Sequence, residues 1–120
     1  MNNNKPSNEW VRIVRAFGYS WQGLRFAISH PAFRTELLVA CIAIPAAFML
    51  APGSTQCALM VGSIFLVLIV ELLNTAVEKT VDRISADWHA LSKQAKDIGS
   101  AAVLLSIVNA VAIWLIVLLT

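Results

Sequence analysis

Charge is what this sequence has least of: Asp, Glu, Lys and Arg make up 13% of its 120 residues, against 58% apolar ones. An ordinary soluble domain carries about a quarter charged residues, and a single domain of this length cannot hide so much apolar surface from water. Water is therefore excluded as the main solvent, and lipid is expected to cover the chain. Cysteine is nearly as scarce. Cys41 and Cys57 lie inside apolar runs without CxxC or metal-ligand spacing, so they read as packing residues, too different in depth to form a disulfide. Two histidines without an HExxH pattern or a Cys/His cluster give no support to a zinc site. There is no GxxxxGK[ST] loop, GxGxxG turn, HRD/DFG set or GxSxG elbow, which excludes the soluble scaffolds built on those motifs. A formal net charge of only +2, with the basic residues flanking apolar runs, argues against nucleic acid as a partner. The polar stretch from Met1 to Asn8 contains no apolar h-region, so no cleavable signal peptide is expected.

What the sequence does have is three long apolar runs. The first, Leu37 to Ala51, is extended by Phe33 and the aliphatic stems of Arg34 and Glu36, which predicts a span over 33–51 with Pro45 tolerated inside it. The second, Cys57 to Val77, is interrupted only by the strongly polar Glu71 and Asn74 and predicts a span over 57–78. The third, Ile98 to Leu119, has no charge at all and carries Trp114 near its far end, which predicts a span over 98–119. All nine Lys and Arg fall in Lys5 to Arg34 or in Lys79 to Lys96, whereas the connector Pro52 to Gln56 and everything after Asp97 are uncharged. The positive-inside rule then puts the N-terminus in the cytoplasm and the C-terminus outside. The expected fold is an all-α membrane protein of one domain covering 1–120.

Ahead of the spans, Trp10, Ile13, Val14, Phe17, Trp21, Leu24 and Ile28 recur at helical spacing, with Arg12, Arg15, Tyr19 and Gln22 opposite. A basic amphipathic helix over 10–28, with tryptophans on its apolar side, is expected to lie in the membrane interface. It serves either as a plain electrostatic anchor or as part of a site.

Glu71 is the most informative residue, because a carboxylate within a lipid-embedded helix costs about 3 kcal/mol on insertion scales. Glu71, Asn74, Glu78 and Asp82 follow at i, i+3, i+7 and i+11 and form one polar stripe toward the charged end of the second span. Two readings fit the stripe: a reactive site, or polar glue between helices. The mixed-charge segment Lys79, Asp82, Arg83, Asp87, His89, Lys93, Lys96 and Asp97 reads as a loop that either grips phosphates or is simply solvated.

Four blocks carry a resemblance: GYSWQGLR at Gly18 to Arg25, AFRTE at Ala32 to Glu36, VELLNTAVEKTVDRI at Val70 to Ile84, and HALSKQAKDIGSAA at His89 to Ala102. In these blocks, and in their order along nearly the whole chain, the sequence resembles the bacterial integral-membrane diacylglycerol kinases. The resemblance implies a homotrimer of the inner membrane with composite active sites, which phosphorylates diacylglycerol to phosphatidate from ATP and Mg²⁺. It implies that Glu71 is the catalytic base, supported by Asn74, Lys96 and Asp97, and that Glu78 ligates the metal. Arg12, Tyr19, Glu78, Asp82, Asp87, Trp88, His89, Lys96 and Asp97 would contact the nucleotide, Trp88 standing for a tyrosine. Arg25, Arg34, Glu36, Glu71 and Ser100 would line the lipid side. Such chemistry suits the depth of Glu71, since the acceptor hydroxyl stays at the bilayer surface while ATP stays in water. With no activated nucleophile beside Glu71, direct transfer is favoured over a phospho-enzyme.

One departure stands out. The family has a second metal-binding glutamate just before the AFR block, where this chain reads Ser29, His30, Pro31 and is one residue shorter. Either His30 takes that place, or Glu36, a water or another chain supplies the contact; imidazole is a poorer Mg²⁺ ligand than carboxylate, so a weaker or shifted metal site is expected. The rival readings are a polyprenol kinase, a small oligomeric proton or ion pathway through Glu71 and Asn74, and a structural membrane subunit packed through Ala101, Ala102 and Ser106.

Overall fold

The computed structural model describes residues 8–120, so the polar N-terminal stretch read for a signal segment lies, but for Asn8, outside the described residues. Four helices account for nearly all of that length: α1 Glu9–Ile28, α2 Pro31–Leu50, α3 Ser54–Ile84 and α4 Ala90–Leu119. The local sequence explains their ends. The Asn8 side chain accepts a hydrogen bond from the Trp10 backbone N–H at 3.3 Å and caps α1. Pro31 then opens α2 at a position where its missing N–H costs nothing. Only Ser29 and His30 separate the two helices, and the backbone N–H of His30 turns back to the Ala27 carbonyl at 2.9 Å. Gly53, in extended conformation, precedes α3. The His89 ring caps α4, its Nδ1 accepting from the Leu91 N–H at 3.1 Å.

Helices α2, α3 and α4 are each long and apolar enough to cross a membrane. The second and third expected spans sit inside longer helices, whereas α2 stops at Leu50, one residue short of the first; the longer helices correct the reading of the second charged segment as a loop. Lys79 to Arg83 continue α3 and Lys93 to Asp97 belong to α4, leaving only Ser85 to His89 between them. Charged residues of good helix propensity do not break a helix once it leaves the lipid, and a Lys93–Asp97 pair at i, i+4 supports the first turns of α4. At about 1.5 Å per residue, the 31 residues of α3 reach roughly 46 Å, well beyond a hydrocarbon core of about 30 Å.

Helix α3 is the spine. It packs against α4 along most of its length and against α2 on another flank, while α1 touches chiefly α2. Its buried residues Met60, Ser63, Val67, Glu71 and Asn74 form one seam, so Glu71 and Asn74 of the predicted polar stripe lie on the helix-packing face, while Glu78 is half-buried and Asp82 exposed. Small residues line the partners: Ala40 and Ala47 on α2, and Ser106 and Ala110 on α4. Close backbone approach through small side chains is how helices associate where lipid is as apolar as leucine. Large apolar side chains such as Leu38, Ile42, Phe48, Leu104 and Leu105 point outward.

Candidate active site

The charged end of the bundle holds two adjoining clefts. One, of about 340 Å³, is lined by His30 at the start of α2, Glu36 one turn further in, Glu71, Asn74 and Glu78 on α3, and Ser100 on α4. Three helices thus bring together side chains that the sequence spreads over seventy positions. Asn74 is held within α3, where its Nδ2 donates to Glu78 Oε1 at 3.4 Å. Its Oδ1 is buried without a partner, as is Oε2 of Glu36. Buried polar atoms are nearly always satisfied, so two orphaned oxygens beside a polar cleft point to a group that the cleft is built to receive.

Gly99 explains how α4 comes so close to Asn74. A Cβ built on Gly99 would collide with the Asn74 Oδ1, so only glycine leaves room there. The sequence placed Gly99 at the entry to the third span without a reason; this contact supplies it.

The imidazole of His30 faces the same cleft. Its Nδ1 lies 3.1 Å from the Phe26 carbonyl oxygen, which can only accept, so Nδ1 donates to it and the ring is held with Nε2 as its other nitrogen. Ligating histidines are usually oriented in this way by a carbonyl on the second nitrogen.

The second cleft, of about 370 Å³, lies at the α3–α4 turn and gathers Asp82, Asp87, Trp88, His89, Lys93, Lys96 and Asp97. Lys96 bridges to Asp82 at 2.6 Å and thereby ties α4 to α3, while Lys93 holds Asp97 at 2.6 Å along α4. Both pairs are solvent-exposed, so neither adds much to stability. Lys93, which the sequence reading left among the loop cations, is therefore the direct partner of a predicted site residue. Asp87 donates its backbone N–H to Ser85 Oγ at 3.0 Å, a local hydrogen bond that shapes the turn.

Four predicted site residues fall outside both clefts. Arg12, Tyr19 and Arg25 lie exposed on α1, and Arg34 is exposed on α2. Alpha1 approaches α3 only near its C-terminal end, where Leu24 and Ala27 face Leu72 and Ala76. Thr75, by contrast, lines the polar cleft although nothing in the sequence singled it out.

These features define a small helical membrane protein with an acidic cleft at one boundary of its apolar spans and a mixed-charge cleft just beyond it. A family model described as prokaryotic diacylglycerol kinase matches residues 18–118. The chain is 47% identical over 110 residues, 91% of its length and 90% of the relative's, to the diacylglycerol kinase of Escherichia coli (strain K12). It is 45% identical over 109 residues, 90% of its length and 89% of the relative's, to that of Pseudomonas aeruginosa. It is 43% identical over 105 residues, 87% and 89%, to that of Haemophilus influenzae. The chain belongs to the prokaryotic diacylglycerol kinase family and is a bacterial membrane enzyme.

Proposed function

We propose that this protein transfers the γ-phosphoryl group of ATP directly to the hydroxyl of diacylglycerol at the cytoplasmic face of the inner membrane, forming phosphatidate. The observation that carries the proposal is the convergence of Glu36, Glu71, Asn74, Glu78 and Ser100 in one cleft at the charged end of three apolar helices. That place is where a lipid alcohol and a water-borne phosphate can meet.

In the reaction, the lipid hydroxyl oxygen attacks the γ-phosphorus, the bond from that phosphorus to the bridging oxygen of ADP breaks, and the hydroxyl proton passes to the Glu71 carboxylate. Glu71 is suited to this by being buried on the seam of α3, level with Glu36. Asn74, Ser100 and Glu36 would orient the alcohol, Asn74 and Glu36 through oxygens that now lack partners. Lys96, tied to Asp82 in the neighbouring cleft, would exchange that partner for phosphate oxygens, and Asp97, His89, Trp88 and Asp87 would bound the nucleotide.

The donor set suits Mg²⁺: hard carboxylate oxygens, with an amide oxygen beside them. Among the described residues no three acidic or His/Cys side chains form a cage, but Mg²⁺ in phosphoryl transfer needs only one or two carboxylates besides phosphates and water. Glu78 would hold it, with His30 standing where the family has a second carboxylate. When bound, Mg²⁺ neutralises charge on the phosphate oxygens. We further propose a homotrimer, with α1 in the cytoplasmic interface, the N-terminus inside and the C-terminus outside. The apolar residues of α1 are exposed, Trp10, Phe17 and Trp21 each to about two-thirds or more, which suits a helix covered by lipid.

The test is transfer of labelled phosphate from ATP in mixed micelles containing Mg²⁺ and either diacylglycerol or a polyprenol. Label in phosphatidate is expected, and Glu71→Gln should reduce it to background while the oligomer persists. Normal turnover in that variant would overturn the mechanism, and label in polyprenol alone would overturn the substrate.

A further inference from the structure

Between α1 and α2 lie only Ser29 and His30, and the structure holds His30 from three sides. Its backbone N–H donates to the Ala27 carbonyl at 2.9 Å. Pro31 follows it, which steers the preceding residue to extended backbone, and His30 adopts φ −90° and ψ 128°. Its ring donates through Nδ1 to the Phe26 carbonyl at 3.1 Å. The end of α1 does not depend on that last contact. Ser29 already serves the same carbonyl through its N–H at 3.2 Å and its hydroxyl at 2.5 Å. What the contact does is orient the ring, leaving Nε2 to the cleft that His30 lines together with Glu36, Glu71 and Glu78.

A nitrogen donor is thus fixed among three carboxylates. The same cleft holds two oxygens that can only accept and have no partner, Oε2 of Glu36 and Oδ1 of Asn74, whose residue is only 9% exposed. Acceptors gathered in this number call for a cation. Among the described residues no three acidic or His/Cys side chains close into a cage, which leaves coordination positions to phosphate oxygens and water.

We propose that His30 is a ligand of the divalent ion carried with the nucleotide and that it sets the choice of ion, turning the site toward first-row cations such as Mn²⁺ and away from Mg²⁺. The inference rests on the proposed kinase activity and adds a specificity-determining residue to it. Mg²⁺ is bound through oxygen and parts with its waters reluctantly. Imidazole is a donor that first-row divalent ions accept, with affinity rising from Mn²⁺ toward Cu²⁺. Of these ions Mn²⁺ is the one that also shares the preference of Mg²⁺ for carboxylate, carbonyl and water oxygens. It therefore suits a site with carboxylates and phosphate on one side and His30 on the other. The tether strengthens the discrimination, since loss of the contact that orients a ligating histidine typically costs about 10–100-fold in metal affinity.

Two measurements on the full-length protein in lipid nanodiscs test this, both with β,γ-methylene-ATP, which binds without transferring its terminal phosphoryl group. The first is pulsed electron paramagnetic resonance of Mn²⁺ bound with that nucleotide. The chain has two histidines, His30 and His89, so protein grown with nitrogen-15 histidine reports on these alone and not on the adenine ring. Coupling to a directly bound histidine nitrogen is expected, absent in His30→Gln and retained in His89→Gln. Bound Mn²⁺ without that coupling in the unmutated protein, or coupling that survives His30→Gln, would overturn the proposal.

The second is displacement of the bound Mn²⁺ by Mg²⁺, which gives the ratio of Kd for Mg²⁺ to Kd for Mn²⁺. His30→Glu should lower this ratio severalfold, because an oxygen ligand restores Mg²⁺ more than it restores Mn²⁺. A ratio that stays the same would overturn the role of His30 in choosing the ion while leaving the kinase reading intact. If no complex of Mn²⁺ and nucleotide associates with the unmutated protein, the kinase reading fails, and the role of His30 with it.

Discussion

Replacing Gly99 with alanine isolates the contact on which the polar cleft depends. In an ordinary helix the change would stabilise by about 0.5–1 kcal/mol, because alanine loses less backbone entropy on folding. Here the added Cβ meets the Asn74 Oδ1 head-on, and Asn74 is 91% buried against its neighbours, so it cannot turn freely away. Forcing a methyl group into such packing typically costs about 1–3 kcal/mol. A net loss of about 1–2 kcal/mol is expected, read as a fall of a few degrees in the unfolding midpoint in detergent. Function should suffer more. If Asn74 is forced to turn to clear the methyl group, it surrenders its hydrogen bond to Glu78, and bonds to charged groups contribute about 1.5–3 kcal/mol. That corresponds to roughly ten- to a hundredfold in kcat/KM for lipid phosphorylation. A double-mutant cycle adds a check. In an Asn74→Ala background the obstacle is gone, and Gly99→Ala should cost less than about 0.5 kcal/mol of stability. An unaltered midpoint and full turnover in the single variant, or full additivity in the cycle, would refute the close approach of α4 to Asn74.

Other changes probe the remaining contacts. His30→Glu should lower the Mg²⁺ concentration needed for half-maximal activity, since carboxylate is the harder ligand; an unchanged Mg²⁺ dependence would make His30 a bystander. Asp82→Asn, which frees Lys96 from its ion pair, should leave the unfolding midpoint nearly unchanged, as expected for an exposed pair, while altering KM for ATP. A KM for ATP that does not move would separate Asp82 and Lys96 from the nucleotide. Ser63→Ala removes one of two acceptors of the Trp114 N–H and should destabilise by about 0.6 kcal/mol, the average worth of a hydrogen bond inside a membrane protein. Chelating Mg²⁺ should abolish transfer of labelled phosphate, and transfer that persists in excess chelator would refute the metal's role.

Sequence alone determined three runs apolar enough to cross a membrane and the place of Glu71 within the second of them. A run of twenty apolar residues is costly in water whatever its neighbours do, and a carboxylate inside one is conspicuous for the same reason. It also determined the polar stripe, since helical spacing places Glu71, Asn74 and Glu78 on one face before any packing is known. Helix ends were less legible. Charged residues beyond the lipid boundary lack an apolar pattern, so Lys79 to Arg83 and Lys93 to Asp97 read as a loop although they are helical.

Only the tertiary structure decided which helices meet and at what register. It set Glu36 of α2 beside Glu71 of α3, pressed Gly99 of α4 against Asn74, and brought Trp114 to Ser63 across 51 positions of chain. The reason is the solvent. In water, burial singles out the apolar face of a helix, but in lipid an apolar side chain facing a neighbouring helix and one facing hydrocarbon look alike in sequence. The contacts that assemble the cleft are made by a glycine, a few small residues and a single indole N–H, and these acquire meaning only when the helices are laid side by side.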